Sequence, residues 1–239
     1  MKKVFLLIIL IIFILSCSKD EENGEVDISV LSSKFNTANT TFTINDEEIV
    51  ITSKGVPNHE SAYYETSNPL YANYTWSAFK KNPNSIAEQN MTMTIPRYPL
   101  VASNHESTPL GAMGIAVNSV SLYNQYAAPG DDLEDEIETF DQWAGHPQNQ
   151  GQYHYHLEAS YLSQQNGNEA LVGILMDGFP IYGTHENGQQ VTNADLDEYH
   201  GHTSSTADFP DGIYHYHVTS EDPYMNGNGY YGTAGTLTN

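Results

Sequence analysis

The chain has 239 residues, a formal net charge of −22 and a single cysteine, Cys17. From residue 98 onward it carries 19 acidic residues and no lysine or arginine. Such a surface repels the phosphates of nucleic acid and the headgroups of anionic lipid, which excludes both as partners of the domain. A lone cysteine also excludes cysteine-based zinc sites and iron–sulfur clusters.

The N-terminus has the features of a lipoprotein signal. Lys2 and Lys3 precede an apolar run, residues 4–15, that is too short to span a bilayer. Residues 14–17, Ile-Leu-Ser-Cys, resemble a bacterial lipobox, which predicts cleavage before Cys17 and lipid attachment to it. An uncleaved anchor and a plain soluble secreted protein are the alternatives.

These signals divide the chain into a signal peptide (residues 1–16), a charged tether (17–28) and one folded domain (29–239). The tether begins with a lysine followed by acidic residues, which resembles the surface-export signal of some Bacteroidetes lipoproteins. We therefore expect an exported protein that is lipid-anchored to the outer membrane and exposed at the cell surface.

Short strands dominate the predicted elements. Alternating or apolar runs at residues 41–52, 91–95, 111–120 and 171–176 are separated or interrupted by turn signals. A helix is predicted over Asp131–Trp143, where apolar residues recur at helical spacing and acidic residues crowd the first turn. The pattern predicts a mainly β single domain, a sandwich or a partly open barrel, with one or two short helices.

The tetrapeptide Tyr-His-Tyr-His occurs twice, at residues 153–156 and 214–217. This alternation predicts β-strands on which the tyrosines share one face and the histidines the other. The two copies start 61 residues apart, too far for a hairpin, which leaves direct pairing or face-to-face packing open.

Histidines are the strongest candidates for a functional site. Residues i and i+2 of a strand project from one face about 6.6 Å apart, so two imidazoles can converge on one ion. The three His-x-His units, with two further histidines in motif positions, give a candidate ligand set: His59, His146, His154, His156, His200, His202, His215 and His217. Imidazole ligation favours zinc or copper, with nickel and iron as alternatives. We expect His154 and His156 at the centre, and the 215/217 pair as supporting ligands or a separate site.

Several separated motifs together resemble the bacterial YHYH domain family, which is named for the tetrapeptide. They lie at residues 55–59, 114–118, 151–156, 177–183, 195–197, 201–202 and 209–214. The resemblance covers about residues 40–232 and implies a shared fold and a secreted context, but no particular activity.

Two other functions stay open. The 17 tyrosines suit a non-catalytic module that binds an extracellular glycan or protein, and the Tyr-His strands could instead form a purely structural core. If the domain is an enzyme, metal-activated water or copper redox chemistry is expected, with Asp177 as a candidate general base.

Overall fold

The computed structural model describes residues 25–239. The predicted signal peptide, the lipidation site Cys17 and most of the tether lie outside the described residues. Among those described, no helix is both long and apolar enough to cross a bilayer. The mainly β prediction is confirmed, since this part of the chain forms sixteen strands and one seven-residue α-helix, α1 (Ser160–Asn166).

The strands are β1 (Thr40–Ile44), β2 (Glu48–Ser53), β3 (Met91–Pro96), β4 (Gly114–Ala116), β5 (Ser121–Leu122), β6 (Tyr126–Ala127), β7 (Asp131–Asp132), β8 (Gly145–Pro147), β9 (Tyr153–Tyr155), β10 (Leu171–Leu175), β11 (Pro180–Tyr182), β12 (His185–Glu186), β13 (Gln189–Gln190), β14 (Gly201–Ser204), β15 (Ile213–His217) and β16 (Thr236–Thr238). Short 3-10 helices lie at Ile28–Lys34, Leu133–Asp135, Ile137–Thr139 and Asn193–Asp195.

Two main sheets share one hydrophobic core. The smaller sheet has the order β1-β2-β3-β16, and the larger one β14-β15-β11-β10-β4-β5-β9-β8. Ile51 and Met93 of the smaller sheet belong to the same buried cluster as Ile115 and Ile174 of the larger one. A single core supports a single domain with a sandwich-like arrangement, and neither of these sheets closes into a barrel.

The two Tyr-His strands lie far apart in the larger sheet. β9 and β15 are separated by four strands, β5, β4, β10 and β11. Each pairs antiparallel with its own short edge strand. β9 pairs with β8 at one edge of the sheet, and β15 pairs with β14 at the opposite edge. Direct pairing of the two tetrapeptides is therefore wrong.

The helix predicted over Asp131–Trp143 is also wrong. This segment contains β7 and then two separate 3-10 turns, Leu133–Asp135 and Ile137–Thr139. Six of the eight residues from 131 to 138 are acidic. Like charges four positions apart destabilise an α-helix, whereas short turns avoid stacking them on one face. In this turn conformation Glu136 lies close to His146 of β8 and to His156, which directly follows β9.

Candidate metal centres

The predicted alternation of side chains along β9 is confirmed. The Tyr153 hydroxyl donates to Asp141 at 2.8 Å, and the Tyr155 hydroxyl accepts from the Asn118 amide at 3.0 Å. Both tyrosines belong to the hydrophobic core. His154 and His156 point to the other face, because strand side chains alternate.

The first group of histidines comprises His146, His154 and His156. His146 lies on β8 directly opposite His154 in the antiparallel register. Its Nε2 atom lies 3.0 Å from Nε2 of His154, which in turn lies 3.0 Å from Nε2 of His156. Two nitrogens bound to one tetrahedral zinc ion would lie about 3.3 Å apart, given bonds of 2.0–2.1 Å. Two of the three nitrogen pairs are therefore already near that spacing, and all three ligand atoms lie within 4.8 Å of one another.

The hydrogen bonds at the opposite ring nitrogens fix the tautomers. Nδ1 of His154 faces the carbonyl oxygen of Gln152 at 3.1 Å, and Nδ1 of His156 faces that of Asn124 at 2.5 Å. A carbonyl oxygen only accepts hydrogen bonds, so each Nδ1 carries the proton and each Nε2 presents a lone pair.

Thr139 fixes the tautomer of His146 in the same way. Its hydroxyl donates to the carbonyl oxygen of Glu136 at 2.7 Å, so its oxygen accepts the Nδ1 proton of His146 at 2.6 Å. The three Nε2 lone pairs of the group therefore face one another without a proton between them. A metal ion bound between them would satisfy all three lone pairs.

Burial keeps these imidazoles neutral. It lowers the pKa of His146 to about 3 and that of His156 to about 4, with a smaller contribution at His146 from the neighbouring His156. The pKa of His154 lies well below its usual value, mainly because the ring is buried and to a smaller extent because His146 and His156 are close. Neutral imidazole is the form that binds a metal ion, so these ligands need no deprotonation at neutral pH.

One side of the first group is accessible from a cavity of about 760 Å³. Glu136 lines this cavity, with its Oε2 atom 3.4 Å from Nε2 of His146 and 4.0 Å from Nε2 of His156. Burial raises the pKa of the Glu136 carboxyl. A carboxyl group beside three converging imidazoles can accept or donate a proton in the cavity.

The second group comprises Glu186, His202, His215 and His217, whose ligand atoms all lie within 4.8 Å of one another. His202 lies on β14 opposite His215 on β15, and Nε2 of His215 lies 3.1 Å from Nε2 of His217. The Oε1 atom of Glu186 lies 3.5 Å from Nε2 of both His202 and His215. Burial, together with neighbouring histidines, lowers the pKa of His215 to about 4.

Two of the eight predicted ligands lie outside both groups. His59 is buried on the tyrosine side of β9, where its Nε2 is 2.7 Å from the Tyr155 hydroxyl and its Nδ1 donates to the carbonyl oxygen of Glu60. His200 has a φ of 76°, which interrupts the strand alternation before His202, and its Nε2 bonds the Thr219 hydroxyl. The geometry does not support either residue as a ligand of these groups.

Asp177 is not placed to act as a base at either centre. Its carboxylate accepts hydrogen bonds from the Tyr216 hydroxyl at 2.6 Å and from the backbone N–H groups of Phe179 and Gly232. Tyr216 lies on the face of β15 opposite to His215 and His217. Burial raises the pKa of Asp177 to about 6 in this fully enclosed position.

No pattern in the sequence singles out Glu136 or Glu186 as neighbours of the histidines. Glu136 belongs to an acidic run that is typical of the exposed face of a helix. It lies beside the first group because the chain forms separate 3-10 turns there. Glu186 lies in β12, a two-residue strand next to the second group. A tight partner strand, β13, follows after two residues and could have signalled an ordered hairpin.

Comparison with known proteins supplies the family. The family model described as "YHYH protein" matches residues 92–192 and 184–229, which together are more than half of the chain. Both groups of histidines lie within these residues. Searches of curated proteins and of solved structures give no significant match.

Proposed function

This chain belongs to the YHYH protein family, and we propose that its domain binds a transition metal ion, zinc or copper, through His146, His154 and His156. The observation that carries the proposal is the convergence of three Nε2 lone pairs whose Nδ1 protons are all held by oxygen acceptors. A purely structural Tyr-His core would pair each imidazole with a protein donor and acceptor. Within residues 25–239, the neighbours of Nε2 of His154 at hydrogen-bonding distance are the imidazole nitrogens of His146 and His156.

The site also suits metal-dependent chemistry. Three protein ligands and one accessible side are typical of catalytic zinc sites, which keep one position for water or substrate. A bound ion would supply a Lewis acid there. Glu136, on the wall of the same cavity, is then better placed than Asp177 to hold a proton during a reaction.

The tyrosine content lends less weight to glycan binding than composition alone indicates. Tyr63, Tyr153, Tyr155, Tyr216 and Tyr230 are all buried in the core, where they cannot stack on a sugar.

Metal content tests the proposal. The full-length chain, extracted in detergent and purified through a tag without histidines, should contain zinc or copper when assayed by mass spectrometry. Replacing His154 and His156 by glutamine should remove the ion from the first centre, whereas His105→Gln, outside both groups, should leave the metal content unchanged. A double variant that retains the full metal content would contradict the proposal.

We also propose that Cys17 carries lipid and that the chain is anchored to the outer membrane with the domain at the cell surface. The support is the lipobox-like stretch and the charged tether in the sequence. Metabolic labelling with a fatty acid should label the wild-type chain but not a Cys17→Ala variant, which should leave the membrane fraction. Protease treatment of intact cells should degrade a surface-exposed domain, and protection from the protease would argue against surface exposure.

A further inference from the structure

The larger sheet consists of two halves with the same topology. The first half contains β4, β5, β8 and β9, and the second contains β10, β11, β14 and β15. In each half the first two strands pair antiparallel, the second pairs parallel with the last, and the last two pair antiparallel. The halves meet where β4 pairs antiparallel with β10, which is the arrangement of a two-fold axis normal to the sheet.

The tyrosines of the two halves also bond to equivalent partners. Tyr153 donates to Asp141, and Tyr214 donates to Asp197. Each of these aspartates lies four residues before the glycine that begins the partner strand. The glycine is required there, because a Cβ atom on Gly145 would lie 2.5 Å from the ring of Tyr153, and one on Gly201 would likewise meet the ring of Tyr214.

The second tyrosine of each tetrapeptide is bonded in an equivalent way. Tyr155 bonds the side chain of Asn118, and Tyr216 bonds that of Asp177. Asn118 and Asp177 follow the segments Gly114-Ile115-Ala116-Val117 and Gly173-Ile174-Leu175-Met176 at the same spacing. These shared positions identify an internal duplication of a four-stranded unit.

The duplication makes the two histidine groups equivalent. His146, His154 and His156 of the first half correspond to His202, His215 and His217 of the second. The corresponding Nδ1 atoms also face backbone carbonyl oxygens: that of His215 faces Ile213, where His154 faces Gln152, and that of His217 faces Gly183, where His156 faces Asn124. His215 and His217 therefore present their Nε2 lone pairs inward by the same means as His154 and His156.

The two groups differ in their carboxylate. Glu186 belongs to the second group, with its ligand atom within 4.8 Å of all three histidine ligand atoms. The compact set of the first group consists of histidines, and the carboxylate beside it, Glu136, lies 3.4 Å from His146 and 4.0 Å from His156. Glu186 is held by a hydrogen bond from the Ser204 hydroxyl of β14. Four protein ligands are typical of a structural zinc site, and three ligands with an open position are typical of a catalytic one.

We propose that Glu186, His202, His215 and His217 form a second, separate centre for a divalent transition metal ion, closed by four protein ligands, while the first centre keeps an open position. This inference rests on the proposed function of the first centre. In the second group Nε2 of His202 is inaccessible to solvent and makes no hydrogen bond to any residue that the structure describes, although Oε1 of Glu186 lies 3.5 Å away. A bound ion would satisfy that nitrogen.

The two ions act separately because the sheet keeps them apart. β9 and β15 are five strand spacings apart, and a spacing of 4.7–4.9 Å gives a separation of about 24 Å. Two metals that share a reaction lie about 3.5–4 Å apart, so these centres cannot form one dinuclear site.

Metal stoichiometry of the full-length chain tests the second centre. We expect two ions per wild-type chain, one in the His154→Gln/His156→Gln variant and one in His215→Gln/His217→Gln. His185→Gln is the matched control, since His185 lines the cavity beside the second group without belonging to it, and it should retain two ions. Circular dichroism and cooperative thermal unfolding identify variants that have failed to fold.

The outcomes separate the two proposals. One ion in the wild-type chain that is lost only with His154 and His156 overturns the second centre and leaves the proposed function standing. No ion in the wild-type chain overturns both. An unfolded histidine variant does not end the test, because Glu186→Gln changes a single atom of the second ligand set. In the His154→Gln/His156→Gln background it should weaken binding of the remaining ion roughly 10–100-fold.

Access to each ion tests the difference between the centres. Cobalt(II) is substituted into each double variant, and azide is added as a small anionic ligand. The absorption spectrum of cobalt at the first centre should change, because one coordination position is open to the 760 Å³ cavity. The spectrum at the second centre should not change. An azide response at the second centre, or none at the first, overturns the assignment of open and closed sites.

Discussion

Acidification should hardly weaken metal binding at the first centre. A metal ion competes with protons for imidazole, and the apparent affinity falls by one factor for each ligand that is protonated in the free protein. Ordinary histidines with a pKa of about 6.5 would each contribute a factor of about 11 at pH 5.5, or about a thousandfold for three ligands. Because burial lowers the pKa of His146 to about 3 and of His156 to about 4, with His154 shifted in the same direction, the expected loss is less than about twofold.

The measurement is a competition titration against a chelator of known affinity at pH 7.5, 6.5 and 5.5. The His215→Gln/His217→Gln variant serves as the protein, so that the first centre alone reports. Calorimetry in two buffers with different ionisation enthalpies adds a direct count of released protons, which should be near zero at pH 6. Three ordinary histidines would release about two protons at that pH.

Two results would refute the reasoning. A loss of affinity near a thousandfold at pH 5.5 would mean that the imidazoles are hydrated and titrate normally. Release of about one proton at pH 6, where three ordinary histidines would release about two, would mean that the three nitrogens share a proton in the absence of metal, and that the cation among them is H⁺.

Three further outcomes follow from individual contacts. Thr139→Val removes the hydroxyl oxygen that accepts the Nδ1 proton of His146, so metal binding at the first centre should weaken roughly 10–100-fold. Thr139→Ser keeps this acceptor and should preserve the affinity. Competition titration of both variants measures the difference. Burial raises the pKa of Asp177 to about 6, so ionisation of its carboxyl group costs the folded state free energy. Relative to Asp177→Asn, the metal-free wild type should lose about 2 kcal/mol of unfolding free energy between pH 4 and pH 7, and equal pH profiles in urea unfolding would contradict this. Gly145→Ala places a Cβ atom 2.5 Å from the Tyr153 ring, so the urea midpoint should fall by an amount equivalent to about 1–3 kcal/mol of unfolding free energy. In Gly167→Ala the added Cβ atom meets no atom within 4 Å, so that variant measures the cost of a positive φ alone.

Local alternation was the most predictable property of the chain. The Tyr-His strands could be identified because a period of two sorts aromatic and imidazole side chains onto opposite faces, and Met91 and Met93 could be placed in the core by the same rule. The rule failed for His200, since its φ of 76° depends on a turn that Asp197 organises through hydrogen bonds to the backbone N–H groups of Tyr199 and Gly201. Spacing alone does not reveal such a turn.

Long-range pairing could not be predicted. Whether β9 pairs with β15 depends on which strands occupy the sheet between them, and the tetrapeptides are compatible with either arrangement. The positions of the two carboxylates could not be predicted either. Glu136 lies between two 3-10 turns and Glu186 in a two-residue strand. Elements this short have no periodicity from which a facing side chain could be inferred.

The acidic composition is only an indirect argument for metal binding. From residue 98 onward the chain has no lysine or arginine of its own, so basic partners for its carboxylates come only from earlier segments, as Lys34 does for Asp208 and Lys80 for Glu138. The most deeply buried carboxylates, Asp141 and Asp177, are satisfied instead by hydroxyl and backbone donors, among them Tyr153 and Tyr216, and burial raises the pKa of both to about 6. The tyrosines of each tetrapeptide thus stabilise acids on one face of the strand. On the other face neutral imidazoles with converging Nε2 atoms offer a site for a cation, so the proposed divalent ion should bind there whatever the net charge of the surrounding surface.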